Sequence, residues 1–408
     1  MKQGWEEIKM VDACEILTCG VASTPTYVDE QIGVPFLSAQ NVRDGVVVLD
    51  KYSFISKEFH QKLTNRNKPS KGDILYSRVG AKYGEAGVVE HNFEFSVYVS
   101  VTLIRPKKEL LNNYFLKNYL NSPRIKDLAK KSISSSGVPN LNVNSVREFP
   151  VPIPSLPEQQ RIVAILDEAF AAIAKAKSNA EQNLTNAKEL FESYLQGVFE
   201  NKGEGWKEKT LEQVSKIFGR GKSRHRPRNY EKLYGGIYPF IQTGDIRNCN
   251  HYITEYSQTY SELGLAQSKL WPSGTICITI AANIAETGVL TFDACFPDSV
   301  IGLVVNEKIA DRDFIEYLLQ SFKARIQALG KGSAQANINM GTFENELFPF
   351  PPVNEQHTIV QKLDALAVET KKLEANYIQK INDLEELKKS VLQKAFSGEL
   401  KTAKALVY

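Results

Sequence analysis

One stretch occurs twice in this chain, and it limits the possible folds more than any other feature. The first copy, FPVPIPSLPEQQRIVAILD, runs from Phe149 to Asp167; the second, FPFPPVNEQHTIVQKLD, runs from Phe348 to Asp364. Glu158-Gln159 aligns with Glu355-Gln356, Ile162 with Ile359 and Leu166 with Leu363, all at an offset of 197. Each copy is a proline-rich run feeding a long helix, because proline suits a helix approach and first turn but not its interior. The starts fall near Pro157 and Asn354. From these points to Glu200 and to Ser397 there are 44 residues each, with no interior proline. At ~1.5 Å per residue each helix spans about 66 Å.

Apolar residues recur at heptad spacing in both helices. The first carries Ile162, Leu166, Ala169, Ile173, Ala176, Ala180, Ala187, Leu190 and Tyr194. The second carries Ile359, Leu363, Leu366, Leu373, Tyr377, Leu384, Leu387 and Val391. Sustained 4-3 spacing makes a narrow seam and predicts a helical pair. Matched lengths favour an intramolecular antiparallel coiled coil. Glu158, Gln159, Ile162, Leu166, Glu355, Gln356, Ile359 and Leu363 are the candidates for helix pairing or for docking another subunit.

The segments before the helices repeat as well. Gly205-Trp206-Lys207-Glu208 answers Gly4-Trp5-Glu6-Glu7, and Pro239–Arg247 answers Pro35–Arg43. Ser273–Cys277 answers Lys71–Leu75, and Ala336–Asn339 answers Pro139–Asn142. Short β-type runs bounded by glycine and polar turns make each segment a mixed unit with a twisted sheet and few helices. The expected class is α+β, with two similar mixed α/β domains alternating with two long helices in pseudo-twofold arrangement. The expected boundaries are 1–156, 157–204, 205–353 and 354–400, with a tail at 401–408.

The net charge is only +3, so binding to nucleic acid must rest on local patches. No apolar run approaches a membrane span, and the N-terminus lacks an apolar signal core. Five cysteines without CxxC spacing read as free thiols in a reducing cytoplasm, and the five histidines show no metal-ligand pairing. Catalytic signatures are missing. There is no Asn/Asp-Pro-Pro-Tyr/Phe motif of an amino-methyltransferase and no glycine-rich cofactor fingerprint. Gly221-Lys222-Ser223 lacks the partner glycine of a phosphate loop, since position 216 is Lys.

Local basic patches do exist. Arg220, Lys222, Arg224, His225, Arg226 and Arg228 lie in a loop opened by glycine and proline, suited to following a phosphate backbone or to plain solvation. Weaker patches in the first segment are Arg66 with Lys68, and Arg78 with Lys82 and Tyr83. Arg43 and Arg247 occupy matching places, beside Gln40-Asn41 and Gly244-Asp245, and Gln242 lies in the same second stretch. Such side chains make bidentate contacts to base edges, although Arg43 and Arg247 equally suit structural roles. Ser134–Ser136 with Asn140 and Asn142, and Ser333, Gln335, Asn337 and Asn339, are polar segments in matching places. They suit base contact or a framework turn.

Taken together, the paired P-x-P…EQ-x-x-IV-x-x-LD stretches, the duplicated layout, the Gly-Trp pairs and Gly72–Arg78 (GDILYSR) resemble the specificity subunit of type I restriction–modification systems. The resemblance covers nearly the whole chain. It implies two target recognition domains reading the halves of a split double-stranded DNA target, with the helices as a ruler. It also implies assembly with two methyltransferase (M) subunits that carry S-adenosylmethionine and methylate adenine, and with restriction (R) subunits that use ATP and Mg. This chain would supply no catalysis, cofactor or metal site. One departure is Ile280, which stands where the first segment has Arg78. The alternatives are the specificity subunit of another multisubunit restriction–modification enzyme, a self-sufficient nuclease, or a coiled-coil protein-binding scaffold.

Overall fold

The computed structural model describes residues 5–20, 25–133, 137–224, 227, 229–281, 284–330, 338, 340–344 and 346–400. The chain forms two compact units, Met1–Glu181 with Ile378–Tyr408, and Gln182–Tyr377. The boundaries fall inside the two long helices, so each unit holds one globule and half of each helix.

The first globule is built on a six-stranded sheet in the order Cys14–Cys19, Val101–Pro106, Ile74–Ser77, Ala86–Val88, Val46–Val47, Val42–Arg43. The Ile74–Ser77 strand is buried along its whole length, which is why it reads as a continuous apolar run rather than an alternating one. Gly72, at φ +91, makes the turn into it, a conformation glycine adopts without strain. A smaller sheet joins Ser53–Ile55, Val34–Leu37 and Ser96–Val97. Glu6–Lys9 pairs with Pro150–Ile153 and closes the globule just before the first long helix.

The second globule repeats this plan. Its larger sheet runs Ser215–Arg220, Val300–Val305, Ile276–Thr279, Thr287–Leu290, Tyr252–Ile253. Its smaller sheet runs Gln258–Tyr260, Tyr234–Phe240, Ala294–Cys295, Leu270–Trp271. Lys207–Lys209 pairs with Phe348–Phe350 in place of the first ribbon. The fold is therefore the expected α+β duplication.

The long helices run Leu156–Glu200 and Val353–Ser397, 45 residues each, starting one residue before the expected points. A buried glutamine fastens each start. Gln159 Nε2 donates to Leu110 O and Pro154 O, both at 2.8 Å, and its Oε1 accepts from Asn112 N at 2.7 Å. Gln356 repeats the clamp, donating to Pro351 O at 2.8 Å and accepting from Asp311 N at 2.7 Å. Beside it, Trp206 Nε1 donates to Glu355 Oε1 at 2.9 Å. Glu158 instead holds Arg161 at 2.7 Å.

In the first unit, Ile162 and Leu166 of the first helix and Val391, Leu392, Ala395 and Phe396 of the second enter the globule's own core. Phe396 packs edge-on against Phe115 and Tyr119, with centroids 5.3 and 5.1 Å away. Lys177 and Glu385 form an ion pair between the two helices there. In the second unit the roles exchange: Leu195 and Phe199 of the first helix join Val360 and Leu363 of the second in the core. Phe199 meets Phe314 at 5.4 Å. The helices therefore run antiparallel within each unit.

This packing separates the two alternatives for the paired residues and revises the seam. Gln159, Gln356, Ile162, Leu166 and Leu363 are buried in their own unit, so they are framework rather than a docking surface. The seam also departs from the heptad at several positions. Leu190 and Tyr194 are 49% and 42% exposed, and Leu373 and Leu387 face solvent too. The buried positions are Ile162, Leu166, Ile173, Ala180, Ala187, Leu195 and Phe199. After Ala187 the step lengthens from seven residues to eight. There the helix packs onto a globule, and a straight helix drifts about 20° per heptad from a 3.5-residue repeat. Thr370, the 197-offset counterpart of Ile173, is buried at the second seam; its hydroxyl donates to Leu366 O at 2.9 Å, so no polar group is stranded.

Replacing Gln159 with Ala should destabilise the chain by roughly 1–3 kcal/mol, because the Asn112 amide loses its acceptor inside the protein. Gln356→Ala should act likewise through Asp311. Urea unfolding of each variant beside an exposed control, Gln182→Ala, checks this; equal midpoints would contradict the clamp.

Candidate nucleic-acid interface

The two globules bring the same two loops together. The first loop leaves the edge strand at a glycine, Gly20 in one globule and Gly221 in the other. Both glycines lie hard against backbone: a Cβ would sit 2.0 Å from Val97 O at Gly20 and 2.3 Å from Phe296 O at Gly221. The second loop follows a short helix with a serine cap. Ser56 accepts from Phe59 N at 3.2 Å, and Ser261 accepts from Gly264 N at 3.3 Å. That loop is 65–70 in the first globule and 267–272 in the second. In the first globule, Gly20, Thr64, Asn67 and Pro69 line one small cavity. In the second, Ser268 Oγ donates to Lys222 O at 2.9 Å.

The charge is distributed differently on these matching loops. In the first globule the second loop carries it. Arg66 is exposed and makes no ion pair among the described residues, while Lys68 pairs with Glu94. Arg105 holds this loop, donating to both oxygens of the buried Asp73 at 2.7 and 2.8 Å, to Ser70 Oγ at 2.7 Å and to Lys68 O at 2.9 Å. In the second globule the first loop carries the charge. Arg220 Nε donates to Asp298 O at 2.8 Å, and Lys222 and Arg224 are exposed. His225, Arg226 and Arg228 lie outside the described residues. Lys269, on the second loop, escaped the sequence reading. Its Nζ stands 3.6 Å over the Trp271 ring. The readable signal was the Lys269-Leu270-Trp271 spacing, with a cation two residues before an aromatic ring at the start of the Leu270–Trp271 strand.

The other candidates separate by burial. Gln40 is exposed and donates to Lys51 O at 3.4 Å. Arg43 pairs with Asp50 at the surface. Gln242 donates to Gln258 Oε1 at 2.9 Å, and Arg247 is exposed without an ion pair among the described residues. Lys82 is exposed, whereas Tyr83 packs against the core. Asn41 and Arg78 are corrections. Asn41 is fully buried; its side chain accepts from Ser38 N at 3.0 Å and donates to Val48 O and Lys51 O. Arg78, 8% exposed, donates to Leu141 O at 2.8 Å, Val99 O at 2.9 Å and Asn140 Oδ1 at 3.0 Å. Both side chains are spent on framework, so neither presents a free edge to a base.

The missing arginine in the second globule is thereby explained. Leu141 N donates to Arg78 O at 2.8 Å, and Ile338 N donates to Ile280 O at 3.2 Å, so one crossing is secured by a guanidinium and the other by apolar packing. Asn142 caps the helix Val143–Arg147, a framework role. Ser134–Ser136, Ser333, Gln335, Asn337 and Asn339 lie outside the described residues.

A charged knot fixes the segment after Arg247. His251 stands at φ +71, in the left-handed region that favours glycine. Its Nδ1 lies 2.5 Å from Glu316 Oε2 and its Nε2 lies 3.4 Å from Asp313 Oδ1. Glu316 is fully buried and also accepts from Thr287 Oγ1 at 2.8 Å. Burial alone would lower the imidazole pKa, but the two carboxylates outweigh it and raise it to about 9. Among the described residues no group of three or more His, Cys, Asp or Glu side chains is placed to hold a metal, and no helix is long and apolar enough to cross a membrane.

Comparison with known proteins decides the family. The profile of the type I restriction modification DNA specificity domain matches residues 2–183 and again 203–383. The chain belongs to that family. A putative type I restriction enzyme MjaX specificity subunit of Methanocaldococcus jannaschii is 24% identical over 98% of this chain and 94% of its own. The EcoKI specificity subunit of Escherichia coli K12 is 22% identical over 90% and 82%. Two solved structures share the fold. One is the HsdS subunit of Thermoanaerobacter tengcongensis, with TM-score 0.65, 19% identity and 98% of each chain covered. The other is a chain from a type I R-M system studied for complex assembly, with TM-score 0.78, 20% identity and 98% and 99% covered.

Two outcomes follow for the site residues. The paired His251 contributes stability that is full below its unfolded pKa near ~6.5 and is lost as pH rises through about 9. Melting measured from pH 7 to 10 should therefore fall more steeply for the wild type than for His251→Gln, by at most roughly 3 kcal/mol. Arg78→Met should lower the melting temperature and leave the DNA sequence preference unchanged. A changed preference would return Arg78 to the reading surface.

Proposed function

We propose that this chain is the DNA-specificity subunit of a type I restriction–modification complex. Each globule reads one half of a bipartite duplex target, and the helix pair sets the gap. The observation that carries this reading is the duplicated loop edge: one framework, fastened by the same glutamine clamp, presents matching loops whose side chains differ. A duplicated scaffold with divergent edges suits two half-sites of different sequence. On one face of B-DNA, half-sites recur about every 34–36 Å, a separation that long helices can hold.

In this reading the chain performs no catalysis. Two methyltransferase subunits carry S-adenosylmethionine, and restriction subunits use ATP and Mg. They assemble on helix faces left outside the seam, where Leu190, Tyr194, Leu373 and Leu387 stand exposed. The complex works in the cytoplasm. Base reading falls to exposed polar side chains such as Gln40, Arg66, Gln242 and Arg247, and the basic loop from Arg220 follows the backbone.

Co-expression with a methyltransferase subunit, followed by mapping of methylated adenines, tests the reading. The expected target is two short motifs separated by a fixed gap. Exchanging residues 205–353 for those of another family member should change one motif and leave the other. A continuous motif, or a stable complex that methylates nothing, would overturn it.

A further inference from the structure

The second globule carries a cation whose placement the fold alone does not explain. Lys269 is half-buried, and its ammonium is held 3.6 Å over the face of Trp271. Trp271 is itself fully buried and stacks on Phe296 with centroids 5.0 Å apart, so the platform is rigid. Lys269 makes no ion pair among the described residues. Its immediate neighbours add to the positive potential: Ser268 ties the backbone of Lys222 alongside, and Arg220 and Arg224 flank that residue. Burial and the Lys222 charge both push the Lys269 pKa down, so the free protein holds this ammonium at a cost.

The matching loop of the first globule balances its lysine. Lys68 is paired with Glu94, and the backbone there is held by Arg105. Among the described residues the second globule pairs its lysine with no carboxylate. An aromatic face orients an ammonium, contributing about 0.5–1 kcal/mol at an exposed site, but it does not neutralise the charge.

We infer that Lys269, oriented by Trp271 and reinforced by Lys222, is a phosphate-binding residue that seats the DNA backbone against the second globule. This rests on the DNA-reading function proposed above and gives it a residue outside the basic loop. A backbone phosphodiester supplies the missing negative charge and is present at every sequence. The contact therefore fixes register on the duplex without choosing bases. The same geometry makes the globules unequal, with backbone attraction weighted toward the second.

Binding of the full chain, assembled with its methyltransferase subunits, is measured against the mapped target duplex and a scrambled duplex over a range of salt. The slope of log K against log salt falls by about 0.9 for each phosphate that is no longer neutralised. Lys269→Gln should lower the slope by that amount and weaken both duplexes by the same factor, and Lys269→Arg should keep the slope. Should Lys269→Gln fail to fold, Lys269→Met, which keeps an apolar stem over Trp271 and removes the charge, is expected to lower the slope by the same amount and weaken both duplexes equally. An unchanged slope in Lys269→Gln, or a loss confined to the mapped target, would overturn the inference while leaving the DNA-reading function intact. Wild-type complex without salt-dependent binding to either duplex would overturn both.

Discussion

A primary amide buried at the first turn of each long helix holds this architecture together. Gln159 and Gln356 each bind a backbone carbonyl just before the helix and a backbone amide at the start of a distant helix in the globule. A buried polar group is tolerated when its donors and acceptors are met, and it then specifies one geometry strongly. The aromatic plugs Phe396 and Phe199 complete each attachment by bringing in the far end of the other helix. The clamp and these apolar contacts together fix each helix against its globule.

On that fixed frame the two globules diverge where divergence costs little. Paired framework turns and caps keep their type: Gly72 and Gly274 both make a left-handed turn, and Ser56 and Ser261 both cap. The edge loops follow different rules. They share a glycine pressed against the neighbouring backbone, and the side chains around it differ in charge and polarity. This separates what must be kept to fold from what is available to discriminate, within one sheet.

Much of this was legible in the sequence because it was written twice. The 197-residue offset alone aligns helix starts, ends and turns, and a repeat reports framework directly. Burial was less legible. Asn41 and Arg78 have the chemistry of base readers, and nothing in their neighbours' identities reveals that backbone carbonyls surround them. Lys269 was overlooked for the converse reason: a single lysine in a polar loop carries no signal until the indole beneath it is placed. The seam was half right. Periodicity marks which residues are apolar, but not where a helix stops following its partner and begins to follow a globule, and Leu190 and Tyr194 fall at that change.

The division of the chain also bears on the order in which it becomes complete during synthesis. Gln182–Tyr377 is one continuous segment, whereas the other unit joins Met1–Glu181 to residues beyond Ile378. The ring cluster of Phe115 and Tyr119 stays open until Phe396 has left the ribosome. The N-terminal unit, though translated first, is thus the last for which all the packing partners exist.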